Sequence, residues 1–306
     1  MLTHGYSTPQ APARVLILGS RGFVGGHLSG HLRSRGLSVV DVPSSDVDLT
    51  SDGAATLLAE RFTPNDAVVF VSALTPDKGR DIATMMRNMR MCEQVCAALQ
   101  KAPCAQVVYV SSDAVYADDA NPVRETSCTA PTSFHGTMHL VRERMLIETA
   151  RAAKVPLALL RPSLLYGPGD THNGYGPNRF VRTALQDGKI ALFGGGEEQR
   201  DHVFIGDVSR LIELVLRHRS EGVLNIATGR AVSFADMAAH VRTAAGRDVA
   251  IAPSPRANPI THRHFDTTEI ARAFPTFSPI MPADGVAQTI ARLAADASSG
   301  RRGASA

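Results

Sequence analysis

The segment VLILGSRGFVGGHL, residues 15–28, constrains the fold of this chain more than any other stretch. An apolar run forms a candidate buried strand, the spacing Gly19-x-x-Gly22-x-x-Gly25 follows, and a helix-forming sequence begins directly behind it. Gly19 permits a tight turn, Gly22 lets the backbone approach a pyrophosphate, and Gly25 lets the helix pack closely on the strand. The N–H groups at the start of such a helix face the phosphates. The segment therefore predicts a dinucleotide-binding βαβ unit.

The next part of the chain repeats this alternation of strand and helix. Runs of Val, Ile and Leu without polar alternation occur at 37–42, 67–71, 106–110 and 155–160, with helical stretches between them. Such runs are typical of strands buried on both faces of a parallel sheet. The alternation predicts an α/β fold with a doubly wound, Rossmann-type parallel sheet.

The second half of the chain changes in character. The stretches YGPGDTHNGYGPNRF and LFGGGEEQRDH are rich in Gly, Pro and polar residues, which is typical of loops that build a binding site. We therefore expect a dinucleotide-binding domain and a smaller C-terminal substrate-binding lobe. The expected bounds are 13–170 plus about 202–228 for the domain, about 171–201 plus 229–294 for the lobe, and 1–12 and 295–306 for flexible tails.

Composition limits the classes of partner. The 306 residues carry a formal net charge of +3, and the basic residues are scattered, so we expect no nucleic-acid partner. No apolar run reaches the roughly 18 residues that a membrane span requires, and the first residues lack a signal-peptide core. The four cysteines show no CxxC motif. We therefore expect a cytoplasmic protein that binds neither nucleic acid nor membrane.

Two charged residues near the glycine motif bear on the choice between NAD and NADP. Asp41 ends the next candidate strand, 22 residues after Gly19. An acidic side chain there accepts hydrogen bonds from both hydroxyls of the adenosine ribose and repels a 2′-phosphate. Arg21, inside the glycine loop, is able to reach a 2′-phosphate instead. We expect NAD, with NADP as the alternative.

Taken in order, the motifs resemble those of the extended short-chain dehydrogenase/reductase family, specifically its NAD-dependent epimerase/dehydratase branch. The resemblance covers nearly all of residues 14–290, through GSRGFVG, DVDLT, VVFVSAL, VVYVSSDAVYAD and LLRPSLLYGPGD. It implies an oxidoreductase or isomerase that acts on a nucleotide-diphosphate sugar by hydride transfer, through a 4-keto intermediate. The family runs epimerisation, dehydration and reduction on one scaffold, so the reaction itself stays open.

The resemblance also implies which residues contact the cofactor. They are Gly19, Arg21, Gly22, Phe23, Val24, Gly25, Asp41, Asp48, Leu49, Ala73, Asn88 and Pro162. Asp48 and Leu49 correspond to the segment beside the adenine, and Pro162 to the segment that packs against the nicotinamide.

The same resemblance assigns substrate contacts to the C-terminal lobe. Arg200 and Arg256 correspond to the arginines that bind the diphosphate, and Asn178 to a substrate-binding asparagine. Two guanidinium groups suit a diphosphate because each is planar, offers bidentate donors and keeps its charge. A structural ion pair of Arg200 with Asp201 or Asp207 is the alternative.

The expected reaction centre departs from the family pattern. The family uses a Tyr activated by a Lys four residues on, with a Ser or Thr that holds the same hydroxyl. In PTSFHGTMHLVRE these two positions are His135 and His139, and Ser112 takes the Ser/Thr position. An imidazole, with an unperturbed pKa of about 6.5, titrates near neutral pH without a lysine. Asp113 is only half of the acidic pair of the dehydratases, which favours epimerisation or reduction over dehydration.

Three functions of the histidine pair stay open. In the first, His135 is the acid/base and His139 holds the cofactor ribose. In the second, the site has lost hydride transfer and the chain binds its ligands without turnover. In the third, His135 and His139 bind a metal, with Glu143 one turn further on. We favour the first, and expect no metal because no Cys or Asp cluster completes a ligand set.

The helices expected over 81–101 and 134–153 correspond to the pair that dimerises many family members, so we expect a homodimer. A Met- and Cys-rich stripe on the first of them is either this interface or core.

Overall fold

The computed structural model of the chain describes residues 1–256 and 259–298, which form two compact units. The first unit contains Met1–Ser163, Val208–Ile226 and Asp266–Phe277, and the second contains Leu164–Asp207, Ala227–Phe265 and the described residues from Ser278 onward. This division differs from the bounds expected from sequence, chiefly because 266–277 belongs to the first unit. There the N–H of Asp266 donates to the carbonyl of Val123 at 3.0 Å, and its carboxylate pairs with Arg124 at 2.8 Å.

Strands and helices are numbered in chain order. The strands are β1 (Thr3–His4), β2 (Arg14–Leu18), β3 (Val39–Val42), β4 (Asp66–Phe70), β5 (Gln106–Val110), β6 (Leu157–Pro162), β7 (Leu164–Tyr166), β8 (Lys189–Phe193), β9 (Gln199–Phe204), β10 (Ser220–Ile226), β11 (Ala231–Ser233) and β12 (Ala250–Ser254). The helices are α1 (Phe23–Ser34), α2 (Ala54–Arg61), α3 (Ile82–Lys101), α4 (Phe134–Ala153), α5 (Pro177–Asp187), α6 (Ile205–Arg217), α7 (Phe234–Ala245), α8 (Thr268–Ala273) and α9 (Pro282–Ser298), with a short 3-10 turn at Asp113–Val115.

A seven-stranded sheet is the centre of the first unit, in the order β1-β10-β6-β5-β4-β2-β3. All neighbouring strands from β10 to β3 are parallel, and β1 is antiparallel. Every residue of β4 and β5 is buried, as their continuous apolar runs predict. Strand β2 lies between β3 and β4, so the chain runs from β2 to β3 on one side and then crosses to β4 on the other side. The carboxyl end of β2 is therefore a topological switch point. The predicted doubly wound α/β fold is confirmed.

The expectation of a flexible tail over 1–12 is wrong for the first four residues. Thr3–His4 pairs with β10, and Leu2 is buried while its N–H donates to Glu269 Oε1 at 2.6 Å. The ring of His4 also bonds to Ser220 Oγ at 2.8 Å. A buried apolar side chain and satisfied polar groups hold this segment on the edge of the sheet. At the other end, α9 extends to Ser298, and 299–306 lies outside the described residues.

Helices α3 and α4 pack against each other in the first unit. Helix α3 begins at its N-cap Asp81, which accepts from the N–H of Thr84 at 2.7 Å. The cysteines of its stripe, Cys92 and Cys96, are buried in the core with Leu99, so this part of the stripe is core. No helix among the described residues is both long enough and apolar enough to cross a membrane.

The second unit contains two small sheets, β11-β9-β7 and β12-β8. Strands β8 and β12 run parallel, and α7 packs on α5 and on α9. The aromatic rings of Tyr175, Phe193 and Phe234 lie together in this unit, with Tyr175 stacked on Phe193 at a centroid distance of 4.2 Å.

Candidate active site

The glycine loop leads from β2 into α1. A Cβ atom on Gly25 would overlap the carbonyl oxygen of Gly19, so only glycine allows the helix to start this close to the strand end. Gly22 is the N-cap of α1 and offers no side-chain cap, and the first helical turn has no acidic residue. Arg21 is exposed, and Phe23, like Val24 after it, is half-buried. The start of α1 therefore presents backbone N–H groups that no side chain caps.

Two buried oxygens beside this loop lack protein partners. Ser20 Oγ and Asp41 Oδ1 form no hydrogen bond. The other carboxylate oxygen of Asp41 accepts from Arg33 Nη2 at 2.8 Å. A buried polar atom without a partner carries a desolvation cost, which ligand hydroxyl or phosphate groups would relieve. The loop and the end of β3 thus fit the phosphates and ribose of a dinucleotide.

The segment expected near the adenine forms a turn after β3. Asp48 is exposed, and its Oδ1 accepts from the N–H and the hydroxyl of Thr50 at 2.9 and 2.8 Å. Leu49 is buried in the core of the first unit. The carboxylate of Asp48 therefore stabilises its own turn.

Asn88 holds the loop that follows β4. Its Oδ1 accepts from the N–H of Leu74 at 2.9 Å and from Arg142 Nη2 at 3.1 Å. Its amide nitrogen donates to the carbonyls of Leu74 and Thr84 at 3.0 and 3.1 Å. These bonds use the whole amide, so Asn88 anchors the loop beyond the half-buried Ala73.

The start of α4 packs directly on the 3-10 turn after β5. A Cβ atom on Gly136 would overlap the carbonyl oxygen of Ala114. Ser112 caps that turn by accepting from the N–H of Ala114 at 3.1 Å, and Asp113 is the first residue of the turn. This contact brings the helix start that carries His135 against the segment of Ser112 and Asp113.

The rings of His135 and His139 meet edge to face, with centroids 4.6 Å apart. His139 is only 4% exposed, and its Nδ1 is hydrogen-bonded to Tyr109 Oη at 2.7 Å. Burial lowers the pKa of His139 well below its ordinary value, and the neighbouring His135 and Arg142 lower it further. Burial also raises the pKa of Tyr109. His139 is therefore a neutral imidazole bonded to a protonated phenol.

Arg142 lies one turn beyond His139 on the same face of α4 and is fully buried. Its guanidinium donates to the carbonyl of Asn88 at 2.6 and 2.9 Å and to that of Ser72 at 2.8 Å. It also lies 5.0 Å from the centre of the Phe70 ring. A fixed positive charge thus lies beneath the histidine pair, at the carboxyl end of β4.

Glu143 joins α4 to β6. Its carboxylate accepts from Arg161 Nε at 2.9 Å, from Arg161 Nη2 at 2.6 Å and from Ser111 Oγ at 2.7 Å. Pro162, the last residue of β6, is buried next to this pair. Because Glu143 is used in this way, it is not directed to the histidines. Among the described residues, no group of three or more His, Cys, Asp or Glu side chains is arranged to hold a metal.

A cavity of about 350 Å³ opens at the start of α4 within the first unit. Its lining includes His135 and Ser133 from the start of α4, Arg80 from the loop before α3, and the apolar side chains of Leu74 and Met85. His139 does not line this cavity, so the two histidines differ in access: one faces the cavity and the other is buried.

The two arginines predicted to bind a diphosphate meet in the second unit. Arg200 Nη2 lies 2.6 Å from Glu198 Oε1, and Arg256 Nη1 donates to Glu198 Oε2 at 2.8 Å. Asp201 accepts from two backbone N–H groups, and Asp207 from that of Ile280. Arg200 does form an ion pair, but with Glu198 instead of Asp201 or Asp207.

Asn178 is buried at the start of α5. Its Oδ1 accepts from the N–H of Gly167 at 3.1 Å, and its amide nitrogen donates to Asp170. These bonds hold the loop after β7, so both polar atoms of the side chain have partners within the second unit.

A model of the NAD dependent epimerase/dehydratase family matches residues 15–227, which is well over half of the chain. The chain belongs to this family.

Several solved structures share the fold of this chain. The chain is similar to MoeE5 in complex with UDP-glucose and NAD, with 24% identity over 93% of this chain and 99% of that chain and a TM-score of 0.80. It is similar to the epimerase Mth375 from Methanothermobacter thermautotrophicus, with 18% identity, 95% of each chain covered and a TM-score of 0.85. It is also similar to the UDP-glucose 4-epimerase from Thermus thermophilus in complex with NAD, with 20% identity, 92% and 99% covered and a TM-score of 0.78.

Four residues that contact the predicted site residues, three in the first unit and one in the second, were not themselves predicted from the sequence. Tyr109 was not predicted because it lies within an apolar strand sequence, and Arg33 and Glu198 because their sequence context is that of ordinary surface charges. Arg142 had a usable signal, since it shares a helix face with His135 and His139 at spacings of seven and three.

Proposed function

We propose that the chain is an NAD(P)-dependent oxidoreductase or isomerase that acts on a nucleotide-diphosphate sugar through a 4-keto intermediate. Membership of the NAD dependent epimerase/dehydratase family supports this reaction class. The first unit would be the dinucleotide-binding domain and the second unit the substrate-binding lobe.

The cofactor would lie along the glycine loop from Gly19 to Gly25. Its phosphates would meet the uncapped start of α1, and the ribose hydroxyls would donate to Asp41 Oδ1, which has no protein partner. NAD is the preferred cofactor because the carboxylate of Asp41 repels a 2′-phosphate. Arg33, bonded to Asp41, and the exposed Arg21 are the residues that would support NADP.

His135 would be the acid/base, and the observation that carries this role is its place in the cavity wall at the start of α4. A bound nicotinamide would supply the hydride acceptor for the sugar. His135 would remove the proton from the hydroxyl on the sugar carbon that loses the hydride, with Ser112 bonded to the same hydroxyl and Asp113 available as a second acid. His139, neutral and held by Tyr109, would support the orientation of His135 from behind.

The diphosphate of the substrate would bind Arg200 and Arg256. Their convergence on one carboxylate supports this role, because both guanidiniums are within reach of a single anionic group. Asn178 would act indirectly, by holding the loop after β7.

A homodimer would form through α3 and α4. Four of the large apolar side chains that the first unit exposes lie on these two helices: Ile82, Met86, Phe134 and Val141. Covering such side chains against the same helices of a second copy would give a two-fold symmetric interface.

A protein of the same fold without turnover is the second candidate. The observation that favours it is the burial of His139, which leaves no fixed charge at the position where the family has a lysine.

Incubation with a broad panel of nucleotide sugars separates the two candidates. An enzyme yields a new nucleotide sugar, detected by chromatography, or a change in the absorbance of the nicotinamide. Ligand binding without either change across the panel would leave only the second candidate.

A further inference from the structure

Glu198 occupies the space between the two arginines that the proposed function assigns to the diphosphate. Each guanidinium takes a different oxygen of its carboxylate, at 2.6 Å for Arg200 and 2.8 Å for Arg256. The side chain of Glu198 is 14% exposed, and those of the arginines are 25% and 17% exposed. Charge-assisted bonds of this length are among the stronger ones in proteins, and partial burial protects them from screening.

The chain path fixes this arrangement. Strands β8 and β12 pair in parallel, and Gly194 and Ser254 at their ends form an antiparallel bridge. Arg256 therefore follows beside the loop after β8, where its Nη2 donates to the carbonyl of Phe193 at 3.1 Å. Glu198 ends that loop, and Arg200 is the second residue of β9. The two arginines and the carboxylate are thus brought together by strand pairing within the second unit.

We propose that Glu198 is an internal counter-anion that holds the arginine pair and is displaced when a nucleoside diphosphate binds. The inference rests on the proposed function, because it takes Arg200 and Arg256 as the residues that bind the diphosphate. One carboxylate contacts both guanidiniums, and a diphosphate offers one phosphoryl group to each. A single phosphate replaces only part of the contacts that Glu198 gives up. Glu198 therefore weakens binding in general and selects for ligands with two phosphates.

The neighbouring Glu197 provides a matched control. Its side chain is 56% exposed, and its Oε2 lies 3.9 Å from Arg256 Nη2. Its Oε1 accepts from the N–H of Gly195 at 3.0 Å, which directs the carboxylate to the glycine turn. Removing the charge of Glu197 changes the overall charge of the lobe by the same amount as removing that of Glu198, but it leaves the bonds between Glu198 and the two arginines in place.

Calorimetric titration of the full chain with UDP, GDP, CDP and dTDP tests the inference. The nucleoside and the monophosphate that correspond to the tightest-binding diphosphate are then titrated in the same way. We expect Glu198→Gln and Glu198→Ser to bind the diphosphate about tenfold more tightly than the wild type, or about 1.4 kcal/mol. The affinity for the monophosphate should increase by at least the same factor, and the affinity for the nucleoside should not change. Glu197→Gln should stay within about twofold of the wild type. Unchanged or weaker diphosphate binding in both folded Glu198 variants would overturn the inference.

Arg200→Met and Arg256→Met separate this failure from a failure of the proposed function. If both variants weaken diphosphate binding while the Glu198 variants do not strengthen it, only the counter-anion role is wrong. If the arginine variants bind the diphosphate as the wild type does, or if none of the proteins binds it, the diphosphate site itself is wrong. Thermal melts of every variant show whether it is folded.

Discussion

Replacing Glu143 by glutamine removes one half of a buried ion pair and leaves the other half in place. The side chains of Glu143 and Arg161 are 2% and 7% exposed, and the carboxylate accepts three bonds of 2.6–2.9 Å from Arg161 and Ser111. Breaking a buried pair by removing one partner costs about 3–5 kcal/mol, because the remaining charge stays desolvated. For a domain of about 150–250 residues this corresponds to a fall of roughly 6–20 °C in the melting temperature.

Scanning calorimetry of the purified chain measures this fall. The matched control is Glu93→Gln, which removes the exposed partner of Arg90 on α3 and should lower the melting temperature by no more than about 4 °C. The double variant Glu143→Leu with Arg161→Met should recover most of the loss, since no unpaired charge remains. A shift for Glu143→Gln no larger than that for Glu93→Gln would show that an unpaired Arg161 charge does not destabilise the chain.

Three further outcomes follow from particular contacts. Gly136→Ala should lower turnover at least about tenfold without unfolding the chain, because the new methyl group displaces the start of α4 from Ala114. The control is Gly30→Ala on α1, where a Cβ meets nothing within 4 Å. Equal turnover of the two variants would contradict the expected effect of Gly136→Ala. Asp41→Asn should raise the affinity for NADP relative to NAD by about tenfold in fluorescence titrations, and an unchanged ratio would argue against a ribose contact. Burial lowers the pKa of His202 to about 3, so below about pH 6.5 the unfolded chain binds a proton that the folded chain does not, and stability falls as the pH drops towards 3. His202→Phe should make the melting temperature less sensitive to pH in this range, and an unaltered pH dependence would exclude His202 as its source.

The sequence predicted the central sheet well because its signals are local. The bounds expected for α4, 134–153, agree with the structure, and β5 was expected at the residues where it lies. Strand β1 was missed because its two residues carry no periodic pattern and gain their structure only by pairing with β10, more than two hundred residues away.

In the site, the motifs predicted which segments meet but not which partners each side chain has. Asn88 and Asn178 were expected to face ligands, yet each uses its amide to hold a loop of its own unit. Arg142 was missed because an arginine on a helix is usually solvent-exposed, and only the tertiary structure shows it buried near Tyr109 and His139. The spacing of Arg142 placed it on the helix face of His139, but its bonds to the carbonyls of Ser72 and Asn88 join residues far apart in the chain, which spacing does not record.

We propose that the imidazole of His135 takes the acid/base role that a tyrosine has in the family. Stopped-flow measurement of nicotinamide reduction in a single turnover, with a nucleotide sugar that the wild type converts, tests it most directly. We expect His135→Ala to lower this rate constant at least about a hundredfold, the loss typical of a missing general acid/base, with cofactor affinity unchanged. A rate constant for His135→Ala within a few-fold of the wild type would show that His135 is not the acid/base.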